Sequence, residues 1–395
     1  MINIYNRFLI KKLIKIIDTK KSVLILGPRQ VGKSTLIRDS LSKQFDFDSI
    51  LLQNPEIRLK YERDPSRLIH EYELDTSKNL IFIDEIQKVP QLFDAIQYLI
   101  DEHKKQFILT GSSARKLRKI GNNLLPGRVI LYSLDPMMWG ELNLVKNHLI
   151  NEIATPPIKP NKIKFGFEDS LAYGSLPEII NMDTSTRNEL LRSYATIYLE
   201  EEIRVEALSR NIGSFSSFLE LAASESGGSP NFTKLSNEVG VSIITIREYF
   251  QILSDTLIIY KLPAFTKSLR RRLSKTSKYY FFDIGVKNTL AKTDIGNNFE
   301  HFVILEMFRR QKLIDKMKLY YWRTQIGQEV DLIIEVNGKI IPIEIKAQKN
   351  ISLKDVSGLA TFLQEYKVEK GYVISLDDKP YKIDSNITVI PWNYI

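Results

Sequence analysis

The 395-residue chain lacks cysteine altogether and has only four histidines. Without cysteine it can form no disulfides, no thiolate nucleophile and no cysteine-based zinc site, and we expect a cytoplasmic protein. Four histidines do not favour a histidine-rich metal site. No apolar stretch reaches the length of about 18 residues that a membrane-spanning helix needs. The sequence therefore predicts no membrane span.

The N-terminal segment 8–17 is rich in apolar residues, but lysines interrupt it and no small-residue cleavage site follows. A signal peptide is therefore not predicted. The apolar residues at positions 9, 10, 13, 14 and 17 have the spacing of one helix face. This spacing predicts an amphipathic helix that packs on the first domain, with membrane contact as the alternative.

Length and composition favour a folded protein of several domains. Hydrophobic residues make up 43% of the chain, which is enough to build hydrophobic cores. The length predicts two or three domains. The net charge of +9 indicates an anionic partner, which is either a nucleic acid or an anionic membrane surface.

Residues 23–35 read Val-Leu-Ile-Leu-Gly-Pro-Arg-Gln-Val-Gly-Lys-Ser-Thr. An apolar run ends in Gly27 and is followed by Gly32, Lys33 and Ser34 at the spacing of a phosphate-binding loop between a strand and a helix. The glycines let backbone N–H groups point at phosphate oxygens, Lys33 reaches the terminal phosphates, and the Ser34 hydroxyl binds Mg²⁺. The alternative is a chance loop. The predicted nucleotide-binding residues are Gly27, Pro28, Arg29, Gln30, Val31, Gly32, Lys33, Ser34 and Thr35.

A second apolar run, 80–83, ends in Asp84 and Glu85. In a nucleotide site, a carboxylate at the end of such a strand holds Mg²⁺ through water, and a neighbouring glutamate orients and deprotonates the attacking water. We therefore predict Ser34 and Asp84 as metal ligands and Glu85 as the catalytic base. The alternative is a strand that ends in an exposed acidic turn.

A third apolar strand ends in the hydroxyl residues Thr110, Ser112 and Ser113. A polar residue here would sense the γ-phosphate or position the water, whereas the alternative is a turn or a helix cap. Arg128, just before the apolar segment 129–133, is predicted to stabilise the charge of the transferring phosphoryl group, in its own subunit or from a neighbouring one. The alternative for Arg128 is a surface ion pair. The predicted catalytic residues are Glu85, Arg128 and Ser112.

Strands that alternate with helices predict an α/β domain with a parallel sheet and helices on both faces. Ligands of such sheets bind at the carboxyl ends of the strands. The three polar strand ends are expected to meet there, which favours an ATPase.

The middle of the chain contains two breaks, at 154–160 and 224–230, around a mostly helical stretch. Residues 232–253 then have helix–turn–helix spacing, with Gly240 at the turn and Ser242 as the cap of the second helix. Two apolar strands, 257–262 and 279–282, flank a basic segment without acids, which predicts a winged helix. The candidate DNA contacts in this wing are Arg270, Arg271, Arg272 and Lys275. The alternative is a winged helix that packs between domains and exposes its wing to solvent.

The C-terminal segment has a D…E-x-K pattern formed by Asp331, Glu344 and Lys346. A hairpin would bring Asp331 beside Glu344, and two carboxylates would bind Mg²⁺ while Lys346 orients a water or stabilises developing charge. Glu300 or Glu306, on a preceding helix, would supply a further carboxylate. The alternative is a nuclease-like fold without catalysis, in which these side chains form an ion-pair network.

Several motifs together resemble those of prokaryotic AAA-type (AAA+) ATPases. The motifs are 27–34, 83–87, 109–114, 125–128, 173–178, 299–300, 329–331 and 343–346. Members of that family carry a C-terminal domain of unknown function with a restriction-endonuclease-like, PD-(D/E)xK core. Ser175 stands where the family often has a second glycine, and no Pro-Asp pair occurs at Asp331.

The resemblance implies four regions along the chain. They are an AAA+-type P-loop ATPase domain over 1–155, a helical lid or linker over 156–230, a winged helix over 231–286 and a restriction-endonuclease-like domain over 287–395. The resemblance also favours ATP over GTP. The sequence itself shows no motif that would read the base, so this preference rests on the resemblance alone.

The leading functional hypothesis is an Mg²⁺-dependent ATPase that couples its nucleotide state to DNA or to a protein partner, including a second copy of itself, through the C-terminal regions. One alternative is an ATP-regulated, metal-dependent DNA nuclease. Another is a nucleotide-switched DNA-binding module without catalytic output.

Overall fold

The computed structural model describes residues 4–75, 77–112, 125–199, 212–266, 276–292 and 294–395. The chain divides into two compact units. They are Met1–Met137 with Asp255–Leu257, and Met138–Ser254 with Ile258–Ile395. Within the described ranges, no helix is long and apolar enough to cross a membrane. The region boundaries that the resemblance implies stay predictions.

The first unit is built on a five-stranded sheet in the order β2-β3-β4-β1-β5, and every pair of neighbours is parallel. Its strands are β1 (Ser22–Leu26), β2 (Asp48–Leu51), β3 (Leu80–Asp84), β4 (Gln106–Gly111) and β5 (Val129–Ser133). Its helices are α1 (Leu9–Asp18), α2 (Lys33–Thr35), α3 (Pro55–Arg63), α4 (Arg67–Tyr72) and α5 (Leu92–Asp101). The predicted α/β class with a parallel sheet is confirmed.

The position of each strand in this sheet follows from its sequence. The three central strands β1, β3 and β4 are buried at every residue, because helices cover both faces of a parallel sheet. The edge strands β2 and β5 are only partly buried. The predicted N-terminal amphipathic helix is confirmed as α1, which buries Leu9, Leu13 and Ile17.

The second unit contains a six-stranded sheet in the order β12-β13-β11-β10-β9-β8 and a separate hairpin of β6 and β7. Its strands are β6 (Ile259–Leu262), β7 (Lys278–Phe281), β8 (Lys318–Arg323), β9 (Glu329–Val336), β10 (Lys339–Lys346), β11 (Gly371–Ser375), β12 (Tyr381–Lys382) and β13 (Ile387–Pro391). Its helices are α6 (Phe167–Tyr173), α7 (Pro177–Ile180), α8 (Thr184–Ser193), α9 (Ile212–Ser224), α10 (Phe232–Val239), α11 (Ile243–Asp255), α12 (Ile284–Leu290), α13 (Ile295–Gln311) and α14 (Ser357–Tyr366).

The predicted helix–turn–helix segment forms two helices joined at Gly240. The φ of Gly240 is 73°, a left-handed conformation that glycine adopts at little cost at the end of a helix. Ser242 accepts a hydrogen bond at Oγ from the backbone N of Thr245 (3.1 Å), as a cap of α11 should. Asn231 caps α10 in the same way, although the sequence pattern did not single it out.

The motif at 173–178 joins α6 to α12 through a single carboxylate. Asp283 is fully buried and accepts hydrogen bonds from the backbone N of Ser175 (2.7 Å) and of Gly285 (2.9 Å). A Cβ added at Gly174 would lie 1.9 Å from Asp283 Oδ1, so glycine is required there. At Ser175, Asp283 contacts the backbone N–H and not the side chain. This contact therefore does not require a glycine at position 175.

Candidate functional site

The phosphate-binding loop follows β1 directly and is shaped by its two glycines. Gly32 has φ 90°, which favours glycine. A Cβ added at Gly27 would lie 2.1 Å from the backbone oxygen of Leu134, so the loop can approach the chain after β5 only without a side chain here. Lys33 begins α2, so the N-terminus of the helical segment faces the loop.

Lys33 points into its own loop. Its side chain is buried, and Nζ donates hydrogen bonds to the carbonyl oxygens of Gly27 (2.8 Å) and Pro28 (2.9 Å). The ammonium therefore lies inside the loop, and in this motif the backbone N–H groups of the loop hold phosphate.

Ser34, Asp84 and Thr110 form a hydrogen-bonded group at the carboxyl ends of β1, β3 and β4. Ser34 Oγ lies 2.8 Å from both carboxylate oxygens of Asp84, and Thr110 Oγ1 donates to Asp84 Oδ1 at 2.5 Å. A hydroxyl beside a buried carboxylate is the oxygen donor set that Mg²⁺ prefers in nucleotide sites, so these residues fit the ion. The three polar strand ends thus lie together.

Glu85 is held next to this group in an unusual backbone conformation. Its φ is 59° and its backbone N donates to Thr110 Oγ1 (3.1 Å). Its carboxylate contacts Ser112 Oγ (3.3 Å) and the side-chain amide of Gln87. Gln87 Nε2 also donates to Ser112 Oγ (2.9 Å), so three side chains form one small network. Ser113 lies outside the described residues.

The sequence reasoning missed the roles of Gln87 and Arg7. Gln87 is buried, and its only signal was its place two residues after Glu85. Arg7 is also buried and donates to the backbone oxygens of Val31, inside the loop (3.0 Å), and of Asp135 (2.6 Å). Arg7 therefore braces the phosphate-binding loop from a segment that carries no motif.

Arg128 lies just before β5, at the end of the sheet opposite the phosphate-binding loop. In the parallel pair β1–β5, Ser22 is the register partner of Val129, so Arg128 is level with the amino end of β1, whereas the loop follows its carboxyl end. β1 has five residues that rise about 3.3 Å each, and its whole length lies between the level of Arg128 and the start of the phosphate-binding loop. Arg128 Nε pairs with Asp101 (2.6 Å) and lowers the pKa of that carboxyl. Arg128 therefore lies at the end of the sheet away from the phosphate-binding loop of its own subunit.

The second unit contains a group of carboxylates from α13, β9 and β10, which we call the acidic cluster: Glu300, Glu329, Asp331 and Glu344. The antiparallel register that pairs Leu332 with Ile343 places Asp331 opposite Glu344, as predicted. Lys346 Nζ pairs with Glu344 Oε1 (2.8 Å).

A lysine that the sequence did not single out enters this cluster. Lys278, on β7, has a side chain only 7% exposed, and its Nζ lies 2.5 Å from Glu329 Oε1 and 3.2 Å from Glu300 Oε1. Tyr280 donates its hydroxyl to the same oxygen of Glu300 (2.7 Å). The sequence did not distinguish Lys278 from the other basic residues of the predicted wing, because the whole segment is rich in lysine and arginine.

The charges in the cluster shift one another's pKa values. Burial raises the pKa of Asp331 well above its usual range, and the negative charges of Glu344 and Glu300 add to this effect. Burial lowers the pKa of Lys278, but Tyr280 and the surrounding carboxylates outweigh it and hold that pKa well above the ordinary value. Lys278 is therefore an ammonium inside the cluster.

Glu306, offered as a further carboxylate of this cluster, is engaged elsewhere. It is completely buried, accepts from Arg310 Nε (2.9 Å) and from the backbone N of Trp139 (3.0 Å), and lies on a different face of α13 from Glu300. In the part of the chain that the structure describes, no group of three or more His, Cys, Asp or Glu side chains is arranged to hold a metal ion. The candidate DNA contacts Arg270, Arg271, Arg272 and Lys275 lie outside the described residues.

Comparison with known protein families finds matches to three family models along the chain. Residues 19–143 match the family model of an AAA domain, 164–296 match a domain of unknown function (DUF8612), and 295–395 match another (DUF4143). An uncharacterized protein of Mycobacterium tuberculosis and one of Mycobacterium bovis are each 24% identical over 388 residues, which is 94% of this chain and 80% of theirs.

The solved structures that were found at low similarity include the following two. The Orc1 protein of Aeropyrum pernix in complex with DNA is 13% identical, covering 71% of this chain and 90% of its own, with a TM-score of 0.30. The replication initiator DnaA bound to AMPPCP and single-stranded DNA is 12% identical, covering 62% of this chain and 86% of its own, with a TM-score of 0.29. TM-scores this low carry no conclusion about fold or function. The family match and the parallel sheet agree on an AAA-type P-loop domain in the first part of the chain.

Proposed function

We propose that this protein is an Mg²⁺-dependent ATPase of the AAA+ class that couples its nucleotide state to DNA or a protein partner through its C-terminal regions. The observation that carries the proposal is the group formed by Ser34, Asp84 and Thr110 beside Glu85. It puts a metal-binding hydroxyl, a buried carboxylate and a candidate base at one end of the sheet, next to the phosphate-binding loop.

Each residue has a distinct role in this proposal. Lys33 and the backbone N–H groups of the loop hold the phosphates of ATP, and Ser34 with Asp84 holds Mg²⁺, which neutralises charge on the phosphates when bound. Glu85 orients and deprotonates the attacking water. Gln87 and Ser112 position the Glu85 carboxylate, because both contact it.

Separate measurements of binding and turnover test this assignment. Lys33→Ala should lose binding of a fluorescent ATP analogue and hydrolysis together. Glu85→Gln should keep binding and lose about 10²-fold or more in turnover, since it lacks only the base. Lys43→Ala, an exposed lysine farther along the same helical segment, is the matched control and should behave as wild type. Full hydrolysis by Lys33→Ala would refute the proposal.

Arg128 is proposed to act on the nucleotide of a neighbouring copy of this chain. Its position at the amino edge of the sheet keeps it from its own loop, but an arginine at a subunit edge can reach the site of the next subunit. The ion pair with Asp101 is partly exposed, so a partner's phosphate can compete for the guanidinium.

DNA is the partner that we propose for residues 231–286, as a winged helix. The support is the pair α10–α11 with its Gly240 turn, the β6–β7 hairpin, and the acid-free basic segment between those strands. Binding would rest on phosphate contacts and would therefore weaken with salt.

A salt series on duplex DNA tests this partner. Replacing Arg270, Arg271 and Arg272 by serine should weaken binding and reduce the slope of log affinity against log salt by about two to three. A triple serine variant of Lys11, Lys15 and Lys21, which removes the same charge from the N-terminal region, is the control. ATP should change the DNA affinity of wild type but not of Lys33→Ala. Equal effects of the two triple variants would show that only net charge matters.

For residues 287–395 we propose a restriction-endonuclease-like fold in which Asp331, Glu344 and Lys346 form part of an ion-pair network. Metal-dependent cleavage of DNA would need carboxylates that are open to a metal ion. Lys278 occupies the acidic cluster instead, so binding and not cutting of DNA is the output that we favour.

A further inference from the structure

We propose that Lys278 is the resident cation of the acidic cluster, and that the cluster accepts a divalent metal ion only when this ammonium is removed. Lys278 reaches the cluster from β7, whereas the carboxylates come from α13, β9 and β10. The cation therefore belongs to the hairpin and is not part of the D…E-x-K pattern.

The contacts of Lys278 are those of a bound ion. Its Nζ lies within 3.2 Å of carboxylate oxygens from two different elements, Glu300 and Glu329, and its side chain is almost fully buried. The hydroxyl of Tyr280 donates to Glu300 from the same strand and helps to hold that carboxylate in place. A buried ammonium with two anionic partners is stably bound. Without the ammonium, the two carboxylates would carry an uncompensated charge.

The remaining carboxylates provide part of a metal site. Asp331 Oδ2 accepts from the backbone N of Ile345 (2.8 Å), and Glu344 Oε1 is paired with Lys346. Among the described residues, Glu344 Oε2 is buried and has no hydrogen-bond partner. A buried carboxylate oxygen without a partner is a donor that is available to a ligand, and hard divalent ions take such oxygens.

Charge prevents a metal ion from using that donor in the present arrangement. Lys278 contacts Glu329, which lies two residues from Asp331 on the same face of β9, and Asp331 faces Glu344 across the two strands. The positive charge of Lys278 partly offsets the raised pKa of Asp331. A divalent ion bound by Asp331 and Glu344 would lie close to the ammonium, and the two cations would repel each other in a partly buried site. Withdrawal of β7, or loss of the lysine, removes this repulsion and leaves anionic oxygens behind.

Binding of Mn²⁺ to the full chain tests the proposal without any measurement of activity. All proteins carry Ser34→Ala and contain no nucleotide, so that the phosphate-binding loop does not contribute. Free Mn²⁺ is followed by electron paramagnetic resonance, and the melting temperature is measured with and without Mn²⁺. The variants are Lys278→Met, Lys278→Gln, and Lys278→Met with Asp331→Asn. The control is Lys318→Met, which removes an exposed lysine from the sheet that carries Asp331 and Glu344.

We expect Lys278→Met and Lys278→Gln to bind Mn²⁺ at least about tenfold more tightly than the parent and Lys318→Met. Mn²⁺ should raise the melting temperature of these two variants and leave that of the parent unchanged. Adding Asp331→Asn should abolish both gains. Lys278→Gln keeps a side chain of similar length that can donate hydrogen bonds, so it serves if the methionine variant does not fold.

Two results would overturn the proposal. If the parent binds Mn²⁺ as tightly as Lys278→Met does, the lysine does not compete with metal. If the folded Lys278 variants gain no affinity, the cluster is not a metal site. Neither result depends on whether the first unit hydrolyses ATP.

Discussion

Buried charged side chains have contrasting surroundings in this protein. Lys33 is surrounded by loop carbonyls, Lys278 by carboxylates, and Lys287 by the amide oxygens of Asn297 (2.9 Å) and Asn298 (2.5 Å). The same residue type therefore serves as a hydrogen-bond donor to a loop, as a counter-ion or as a destabilised charge, depending on the groups that tertiary packing places around it.

The fully buried pair of Glu306 and Arg310 should be sensitive to loss of one partner. Arg310 also donates to the backbone oxygens of Ile153 and Ile395 (both 2.9 Å). We expect Glu306→Gln to lower the free energy of unfolding by about 3 to 5 kcal/mol, because it leaves a buried charge uncompensated. Glu335→Gln, in a partly exposed pair with Lys318, should cost at most about 1 kcal/mol. Urea unfolding of both variants checks this, and equal losses would contradict it.

The stability contributed by Lys287 should depend on pH. Burial lowers the pKa of Lys287 from 10.5 to about 8. Between these values the unfolded chain binds a proton that the folded chain does not, so this contribution increases as pH rises through the window. The free energy of unfolding of wild type, relative to Lys287→Met, should therefore rise by about 2 to 3 kcal/mol from pH 7 to 10.5. A difference that is independent of pH would show that the group is not destabilised by burial.

Close contacts between helices set the architecture at the scale of elements. The end of α6 and the start of α12 are linked by the carboxylate of Asp283, and burial raises the pKa of this carboxyl. Backbone groups from the two helices approach closely enough that side chains are excluded. This contact explains why the motif at 173–178 has a glycine at position 174.

Gly285→Ala should disrupt this contact. An added Cβ would lie 2.1 Å from the backbone oxygen of Tyr173, which cannot move away as a flexible side chain can. We expect a loss of about 1 to 3 kcal/mol in the free energy of unfolding, measured by chemical denaturation. Gly166→Ala, at the other end of α6, would meet only a side-chain atom at 3.7 Å and is the control. A tolerated Gly285→Ala would mean that the two helices can separate without cost.

At the scale of the whole molecule, the role proposed for Arg128 requires that copies of the chain associate. The sheet order β2-β3-β4-β1-β5 places β5 at an edge, with Arg128 preceding it at the end opposite the phosphate-binding loop. In this proposal, one subunit contributes the loop, Asp84 and Glu85, and its neighbour contributes the arginine.

Mixing of variants should reveal such a shared site. Arg128→Ala and Lys33→Ala should each hydrolyse ATP poorly, but the mixture should regain activity, because an intact loop from one meets an intact arginine from the other. Turnover is measured at constant total protein, together with mass by light scattering in the presence of ATP. A mixture of Lys33→Ala with the Lys33→Ala, Arg128→Ala double variant is the control and should stay inactive. No recovery in an associated mixture would contradict action between subunits.

The sequence alone was informative wherever chemistry is encoded by neighbouring residues. The phosphate-binding loop, the buried strand that ends in Asp84 and Glu85, the turn at Gly240 and the cap at Ser242 were all identified from local pattern, and the structure has them at those residues. Local pattern sufficed because backbone conformation and hydrophobic periodicity depend on residues only a few positions apart.

Tertiary structure alone decided which distant groups meet. It placed Arg128 away from its own loop, directed Glu306 to Arg310 and not to Asp331, and brought Lys278 into the acidic cluster. The i,i+4 spacing of Glu306 and Arg310 on one helix is compatible with their pairing. The partners of Lys278 and Arg128 follow no such spacing, because they are fixed by the packing of elements far apart in the chain. The sequence thus determined a phosphate-binding loop and a pattern of carboxylates. Folding determined that Arg128 lies away from the loop and that Lys278 lies among the carboxylates.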